Sequence, residues 1–303
     1  MNQEIGKKLL SILKVEQVKK DEPMKIHTTF RVGGPASYFV TPETEEEVAK
    51  VIEVCIQENV PYYIVGNGSN LLVSDQGYEG VIIQIYKQMN QVEITENEIH
   101  AQAGALLSMI ANRAMEAELT GFEFAAGIPG TLGGACVMNA GAYGGEMKDV
   151  LETVTVLTRD GDVKTLTKDE LELGYRTSVI AKKDYIVLSA VIRLENGKKE
   201  VIKAVMDDLK EKRITKQPLE YPSAGSTFKR PEGYFAGKLI QDAGLRGFQV
   251  GGAQVSEKHC GFVVNKDQAT AADVMNLMNQ VSDKVYEMSG VRLEPEVKRL
   301  GVF

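Results

Sequence analysis

Apolar residues recur at helical spacing at the start of the chain, where Ile5, Leu9, Ile12 and Leu13 predict an amphipathic helix. A polar break over 19–23 and a Gly33-Gly34-Pro35 turn lead into a short strand at 36–40. Thr44 to Glu47 has the spacing of a capping box, and Val48, Val51, Ile52, Cys55 and Ile56 share one helical face behind it. Pro61 closes that helix, 62–66 reads as a buried strand, 66–70 as a turn, and 81–86 as another strand. Alternating strands follow at 92–95 and 98–103, then a helix over 105–119 and a hairpin, 153–158 with 163–166, across the turn at 159–162. A polar connection at 172–178 precedes a strand at 185–194.

The sequence ENGKK at 195–199 is the sharpest break in composition, and a charged helix over about 200–213 follows it. Beyond lie the segment 223–229, a helix near 236–242, short strands at 249–255 and 261–265, and a long helix over 270–288. There is no internal repeat and no low-complexity tract.

One stretch resists both periodicities. Residues 121–145, GFEFAAGIPGTLGGACVMNAGAYGG, hold eight glycines in 25 positions and a single charge, Glu123. Glycine costs entropy in any regular element, so this density implies that the backbone itself is in use, for tight turns or for amides set against a ligand. The interior is apolar (Ile128, Leu132, Val137, Met138) and lacks Lys and Arg, so an anion here would be gripped by amide dipoles.

Composition narrows the choice. A chain of 303 residues buries a sizeable core and is expected to form two or three domains. A net charge of −7 disfavours nucleic acid as a partner, which would need a basic face. Cys55, Cys136 and Cys260 are odd in number and widely spaced, suggesting neither disulfides nor a metal site. The first residues lack a secretory core, and no apolar run approaches the roughly 18 residues of a membrane span. The expectation is a soluble, cytoplasmic chain with no membrane span. Common nucleotide motifs fail: Gly66 and Gly68 begin a G-x-G-x-x-G, but its sixth position is Leu71, and Gly237-Lys238 is followed by Leu239 rather than Ser or Thr. His27, His100 and His259 are scattered and read as packing or surface residues, and no G-x-S-x-G elbow is present.

Five segments together carry a resemblance. GNGSNLL (66–72), GIPGTLGGACVMNAGAYGGE (127–146), GYRTS (174–178), AGSTFKRP (224–231) and LEPEV (293–297) occur in this order. From about residue 28 onward the chain resembles the UDP-N-acetylenolpyruvoylglucosamine reductases, the MurB flavoenzymes of peptidoglycan precursor synthesis. The resemblance implies an α+β fold of the vanillyl-alcohol-oxidase (PCMH) type. A lead-in (1–27) would precede an FAD-binding module (28–195, subdomains about 28–88 and 89–195). A substrate-binding domain (196–290) and a C-terminal strand returning to the FAD module (291–303) would complete it.

It also implies noncovalent FAD, NADPH as reductant and a UDP-sugar substrate. Gly66, Asn67, Gly68, Ser69, Asn70 and Leu71, with Gly127, Ile128, Pro129, Gly130, Thr131, Gly133 and Gly134, would wrap the FAD diphosphate with backbone amides. Asn139 and Gly141 would lie along the cofactor. Cys136, inside the same stretch, reads as a small packed thiol rather than a flavin attachment point. Arg176, Ser226 and Glu296 match the family's catalytic positions. Arg176 would hold the substrate carboxylate and balance developing charge. Ser226 would deliver a proton, and Glu296 would act protonated at the oxygens of an enolate-like intermediate. Glu294 is its rival, two residues away and so on the same face of a strand. Lys216 would grip the substrate's diphosphate, with Lys229 and Arg230 as helpers. The stretch between 194 and 216 is too short for the inserted tyrosine loop of one subgroup, which places the chain in the shorter subgroup. Two other readings stay open: an oxidase or dehydrogenase of alcohols or lactones on the same fold, and a nonenzymatic flavin- or nucleotide-binding protein.

Overall fold

The computed structural model describes residues 3–303. Helix α1 (Gln3–Ile12) presents Ile5 and Leu9 to the core and lies against α2 (Glu45–Gln57), whose N-cap Thr44 accepts from the Glu47 amide at 3.1 Å. Both cover a four-stranded sheet built from β1 (Val18–Pro23), β2 (Pro35–Val40), β3 (Tyr62–Val65) and β5 (Tyr78–Gln84), in the order β1-β2-β5-β3. Strands β2, β5 and β3 run parallel, and such strands are buried on both faces. Val81 and Ile83 accordingly enter the main core while Ile82, between them, enters a smaller core on the opposite face with Phe39 and Leu300.

The break read at 19–23 is in fact the edge strand β1, antiparallel to β2. Its exposed Lys19 and Lys20 and the left-handed Asp21 (φ 53°) hid it, because an edge strand needs no apolar alternation. The turn at 66–70 likewise feeds a strand that the pattern did not reveal, β4 (Leu71–Val73).

The second sheet is antiparallel, in the order Val163–Thr167, Leu151–Leu157, Ile186–Arg193, β7 (Glu98–Gln102), β6 (Val92–Thr95). Helices α3 (Leu107–Glu116) and α4 (Leu132–Met138) bury Leu107, Ile110, Leu132 and Cys136 against the same main core. Short helices α5 (Met147–Val150) and α6 (Val179–Lys182) close the ends of this layer. Helix α7 (Lys199–Lys216) lies beyond the 195–199 break, yet it buries Ile202 and packs Met206 on the main core. The change of composition therefore does not coincide with the change of core.

A separate core begins at Ala224. It is formed by α8 (Ala236–Asp242), by an antiparallel sheet of order Ser223–Ser226, Phe262–Asn265, Ala253–Val255, Gln249–Val250, and by α9 (Ala271–Ser289). Val274, Leu277, Met278, Val281 and Val285 form the apolar stripe of α9, which Thr270 and Asp273 cap at one end and left-handed Gly290 at the other.

Several links join the halves. The strand Lys298–Leu300 pairs in parallel with β4, and Phe30, Val32 and Leu72 contribute to the second core. Asp75 accepts from the first amides of α9, Ala271 (2.8 Å) and Ala272 (2.9 Å). Asp75→Ala should lower stability by about 1 kcal/mol, seen in thermal unfolding as a Tm reduced by roughly 2–4 °C.

Candidate active site

Between the two cores runs a cleft of about 840 Å³, walled by the 66–70 loop and the glycine-rich stretch on one side and by residues 217–226 on the other. A second cavity of about 400 Å³ opens from it into the second half. Arg176, Ser226 and Glu296 line both and stand at the neck where they meet. A third, of about 230 Å³, lies beneath the 66–71 loop and α4.

The 66–71 loop is held by its carbonyls. Gly66 O accepts from Gln84 Nε2 (3.2 Å) and Gly68 O from the Thr29 amide (3.1 Å), while Asn67 Nδ2 ties the loop to the Pro129 carbonyl (2.7 Å). The amides of Asn67, Gly68, Ser69 and Asn70 donate to no group among the described residues. Successive free N–H groups in a turn form an anion-binding concavity. A Cβ on Gly66 would sit 2.3 Å from Thr131 Oγ1, and one on Gly68, at φ +63°, would sit 2.0 Å from the His27 carbonyl oxygen. Glycine is favoured at both, because the β-branched Thr131 side chain stands against Gly66 and the 27–28 backbone against Gly68.

Gly66, Asn67, Gly68, Ser69, Asn70 and Leu71 line the third cavity with Ile128, Gly130, Thr131, Gly133 and Gly134, while Gly127, Ile128, Pro129 and Gly141 line the main cleft. Around Gly130 a Cβ would meet nothing closer than 3.8 Å, so the cradle is open there. These residues fit a dinucleotide whose diphosphate lies on the free amides. Cys136 is fully buried, and burial pushes its thiol up to about 12, which keeps it inert. Asn139 departs from expectation: it is fully buried, lines none of the three cavities, and bonds Glu146, the Gly174 carbonyl and the Lys148 amide.

The stretch 121–145 contains no Lys or Arg, but α7 supplies one. The Arg213 side chain packs on Gly127, 3.2 Å from where a Cβ would be, and lines the main cleft. Burial lowers its guanidinium pKa, and its Nε donates to Gln217 Oε1 (3.1 Å). Sequence reasoning missed it because a charged helix gives no sign of which charge turns inward.

Arg176 sits in a tight turn, left-handed at φ 54°. Its Nε donates to Glu296 Oε1 at 2.9 Å, and its terminal nitrogens make longer bonds to the carbonyls of Asn139 (3.5 Å) and Gly141 (3.4 Å). Glu296 is only 10% exposed at its side chain. Burial raises its pKa above the ordinary carboxylate range, against the opposing pull of Arg176 and, more weakly, of Lys229 and Lys298. Ser226 ends the strand Ser223–Ser226 with its side chain open to the cleft. Buried Thr227 anchors it: its amide donates to Gly261 O (2.9 Å), its Oγ1 accepts from Val263 N–H (2.8 Å), and its carbonyl accepts from the Glu296 amide (2.8 Å).

That last bond separates Glu296 from its rival. Residues 293–297 are not a regular strand but a segment bridged at Pro295 to Phe228. Glu294 points out to solvent, paired with Lys229 at 3.0 Å, whereas Glu296 faces the neck. Lys229 thus does not line the cleft, and Lys216 ends α7 exposed and outside all three cavities. Arg230 does line the second cavity, its guanidinium 4.0 Å from the Phe235 ring and its amide donating to Tyr175 Oη (3.0 Å). The further cations there are Lys238, Arg246 and Lys258, beside His259, whose pKa is lowered by burial. The one sequence signal for them was the Gly237-Lys238 pair set aside as a failed phosphate-loop motif.

An amide cradle continuous with a cleft that holds an Arg–Glu pair and a serine, on two α+β sheets with a separate cap, defines an FAD-dependent oxidoreductase of the vanillyl-alcohol-oxidase type. Residues 36–167 match the model of an FAD binding domain, and 217–300 that of the UDP-N-acetylenolpyruvoylglucosamine reductase C-terminal domain. The chain is 56% identical to the UDP-N-acetylenolpyruvoylglucosamine reductase of Agathobacter rectalis over 100% of both chains. It is 54% identical to that of Clostridioides difficile over 99% of both. The crystal structure of the Thermus caldophilus reductase (MurB) superposes with a TM-score of 0.80 at 37% identity, covering 92% of this chain and 97% of that one. An alkyldihydroxyacetonephosphate synthase, at 19% identity and a TM-score of 0.51 over 65% of this chain and 41% of that one, shares the fold. The chain belongs to the UDP-N-acetylenolpyruvoylglucosamine reductase family.

Gly68→Ala drives a Cβ into the His27 carbonyl and reshapes the amide cradle. The purified variant should show a markedly lower flavin-to-protein absorbance ratio than the parent chain.

Proposed function

We propose that the chain reduces UDP-N-acetylglucosamine enolpyruvate to UDP-N-acetylmuramate, with electrons from NADPH and noncovalently held FAD, and that Arg176, Ser226 and Glu296 act on the substrate. The observation that carries this reading is their convergence at the neck between the cradle-lined cleft and the cation-lined cavity. The 66–71 loop and residues 127–134 would hold FAD, which when bound would supply, from NADPH, the hydride that adds to the terminal enolpyruvyl carbon. That addition leaves negative charge on the neighbouring carbon and its carboxylate.

The Arg176 guanidinium has terminal N–H groups in only long bonds to carbonyls, so they are available to hold that carboxylate as a planar fork. Ser226 Oγ, open to the cleft, delivers the proton to the carbon; a hydroxyl is acidic enough because its partner is a strong carbon base. Hydride and proton together saturate the double bond. Glu296, whose pKa burial already raises, is pushed further toward the protonated form when the enolate draws on Arg176, and then donates to the enolate oxygen. The UDP portion takes the second cavity, where Arg230, Lys238, Arg246 and Lys258 oppose its diphosphate in place of Lys216 and Lys229.

In this reading 28–195, with α7 and the strand Lys298–Leu300, holds the flavin, and residues from 217 to about 297 bind substrate. The reaction would stand in peptidoglycan precursor synthesis in the cytoplasm, and so serve cell-wall formation, shape and division. Among the described residues no helix is long and apolar enough to cross a membrane.

The purified protein should be yellow and should oxidise NADPH only when UDP-N-acetylglucosamine enolpyruvate is present. A colourless protein, or one that turns over alcohols with oxygen, would sink the reading. Ser226→Ala should still be reduced by NADPH while its reduced flavin is no longer reoxidised by substrate; near-normal turnover would refute the proton-donor role. The substrate step should slow as pH rises through the elevated pKa of Glu296, since the protonated acid is the active form. Glu296→Gln should lack that limb in a rate–pH profile.

A further inference from the structure

Asn139 closes α4 in the left-handed conformation (φ 45°, ψ 60°) with no exposed surface. Every polar atom of its side chain is engaged. Nδ2 donates to Glu146 Oε2 (2.7 Å) and to the Gly174 carbonyl (3.0 Å), and Oδ1 accepts from the Lys148 amide (2.9 Å). Gly174 opens the turn that carries Arg176: the Gly174 amide donates to Thr177 O at 3.1 Å, and the Thr177 amide donates back to Gly174 O at 3.3 Å. Arg176 lies inside that turn at φ 54°, and its guanidinium reaches back to the Asn139 carbonyl. Two non-glycine residues in the left-handed region are thus braced against each other. Such conformations are uncommon for a residue like arginine and persist where the surroundings over-determine them.

We infer that Asn139 is a positioning residue for the reduction step, gripping the Gly174 carbonyl so that the turn aims Arg176 at Glu296 and the neck of the cleft. The inference rests on the roles proposed for Arg176 and Glu296. A residue that only capped α4 would need neither the bond to Gly174 nor the contact with the guanidinium. With the brace removed, the turn relaxes and Arg176 no longer holds its short bond to Glu296. Lys229 and Lys298 are then the remaining positive charges that act on Glu296.

The test is Asn139→Gly, because glycine takes the left-handed conformation without strain and leaves the end of α4 intact. Flavin content and Tm are checked first. Reoxidation of the reduced flavin by substrate is then followed across pH. The expected result is a bound flavin, a reoxidation rate lower by roughly ten- to a hundredfold, and a high-pH limb moved upward, as Glu296 loses the arginine that draws its pKa down. A parental rate, or a slower rate with the limb unmoved, overturns the assignment. Should Asn139→Gly lose its flavin, Asn139→Asp, which also accepts a left-handed backbone but cannot donate to Gly174, is judged by the same two readouts. Glu296→Gln tests the underlying reading separately. A parental limb in that variant overturns the role given to Glu296, and the rate alone then decides for Asn139.

Discussion

The parallel pairing of Lys298–Leu300 with β4 is the constraint on which the site depends. β4 begins one residue after the amide cradle, and Lys298 lies two residues after Glu296. The Lys298 amide donates to Asn70 O (3.0 Å) and Asn70 Nδ2 to the Glu296 carbonyl (3.3 Å), so the last segment of the chain is stitched to the cradle. Glu296 in turn bonds Thr227 through its backbone, next to Ser226. One short strand therefore fixes Ser226 and Glu296 of the second half relative to the amide cradle of the first. Without it the two cores would be joined by side-chain links such as the Asp75 cap and the Arg176–Glu296 pair and by the few residues, such as Phe30, that cross between them.

Electrostatics at the neck follow from burial. Glu296 is desolvated more than Arg176 compensates, so its carboxyl is displaced toward the neutral form even with a guanidinium 2.9 Å away. In the proposed reaction a permanently charged carboxylate would repel the enolate-like intermediate. Arg213 shows the same pressure on a cation: half-buried at Gly127 with no carboxylate against it among the described residues, its pKa is drawn down. A bound anion in the cleft would restore the balance for both Arg213 and the free amides of 67–70. The site is thus preorganised for negative charge, although the chain as a whole carries −7.

Much of the fold was legible locally. Amphipathic spacing found α1 and α2, because a helix with one buried stripe writes that stripe into its sequence, and the helices read near 236–242 and over 270–288 stand as α8 and α9. The glycine-rich stretch announced a backbone site, since no other residue type tolerates such close approach as at Gly66 and Gly68. Elements that escaped were those with little apolar pattern of their own: β1, an exposed edge, and β4, three residues long. Lys216 and Lys229 were expected at the site because of their place in the chain. Yet a lysine's position says nothing about whether it faces a cavity or, like Lys229, a neighbouring acid.

By itself, then, the sequence determined most of the helices and strands and the glycine cradle, while the family resemblance, rather than any local pattern, pointed to Arg176, Ser226 and Glu296. Propensity, periodicity and glycine's freedom act over a few residues. The tertiary structure alone decided that Glu296 rather than Glu294 faces the cleft, that Arg213 turns inward, that Asn139 braces a turn 35 residues away, and that α7 packs on the first core. Each of these depends on which side of an irregular or charged segment is desolvated. That is set by the surface packed against it, which comes from a distant part of the chain.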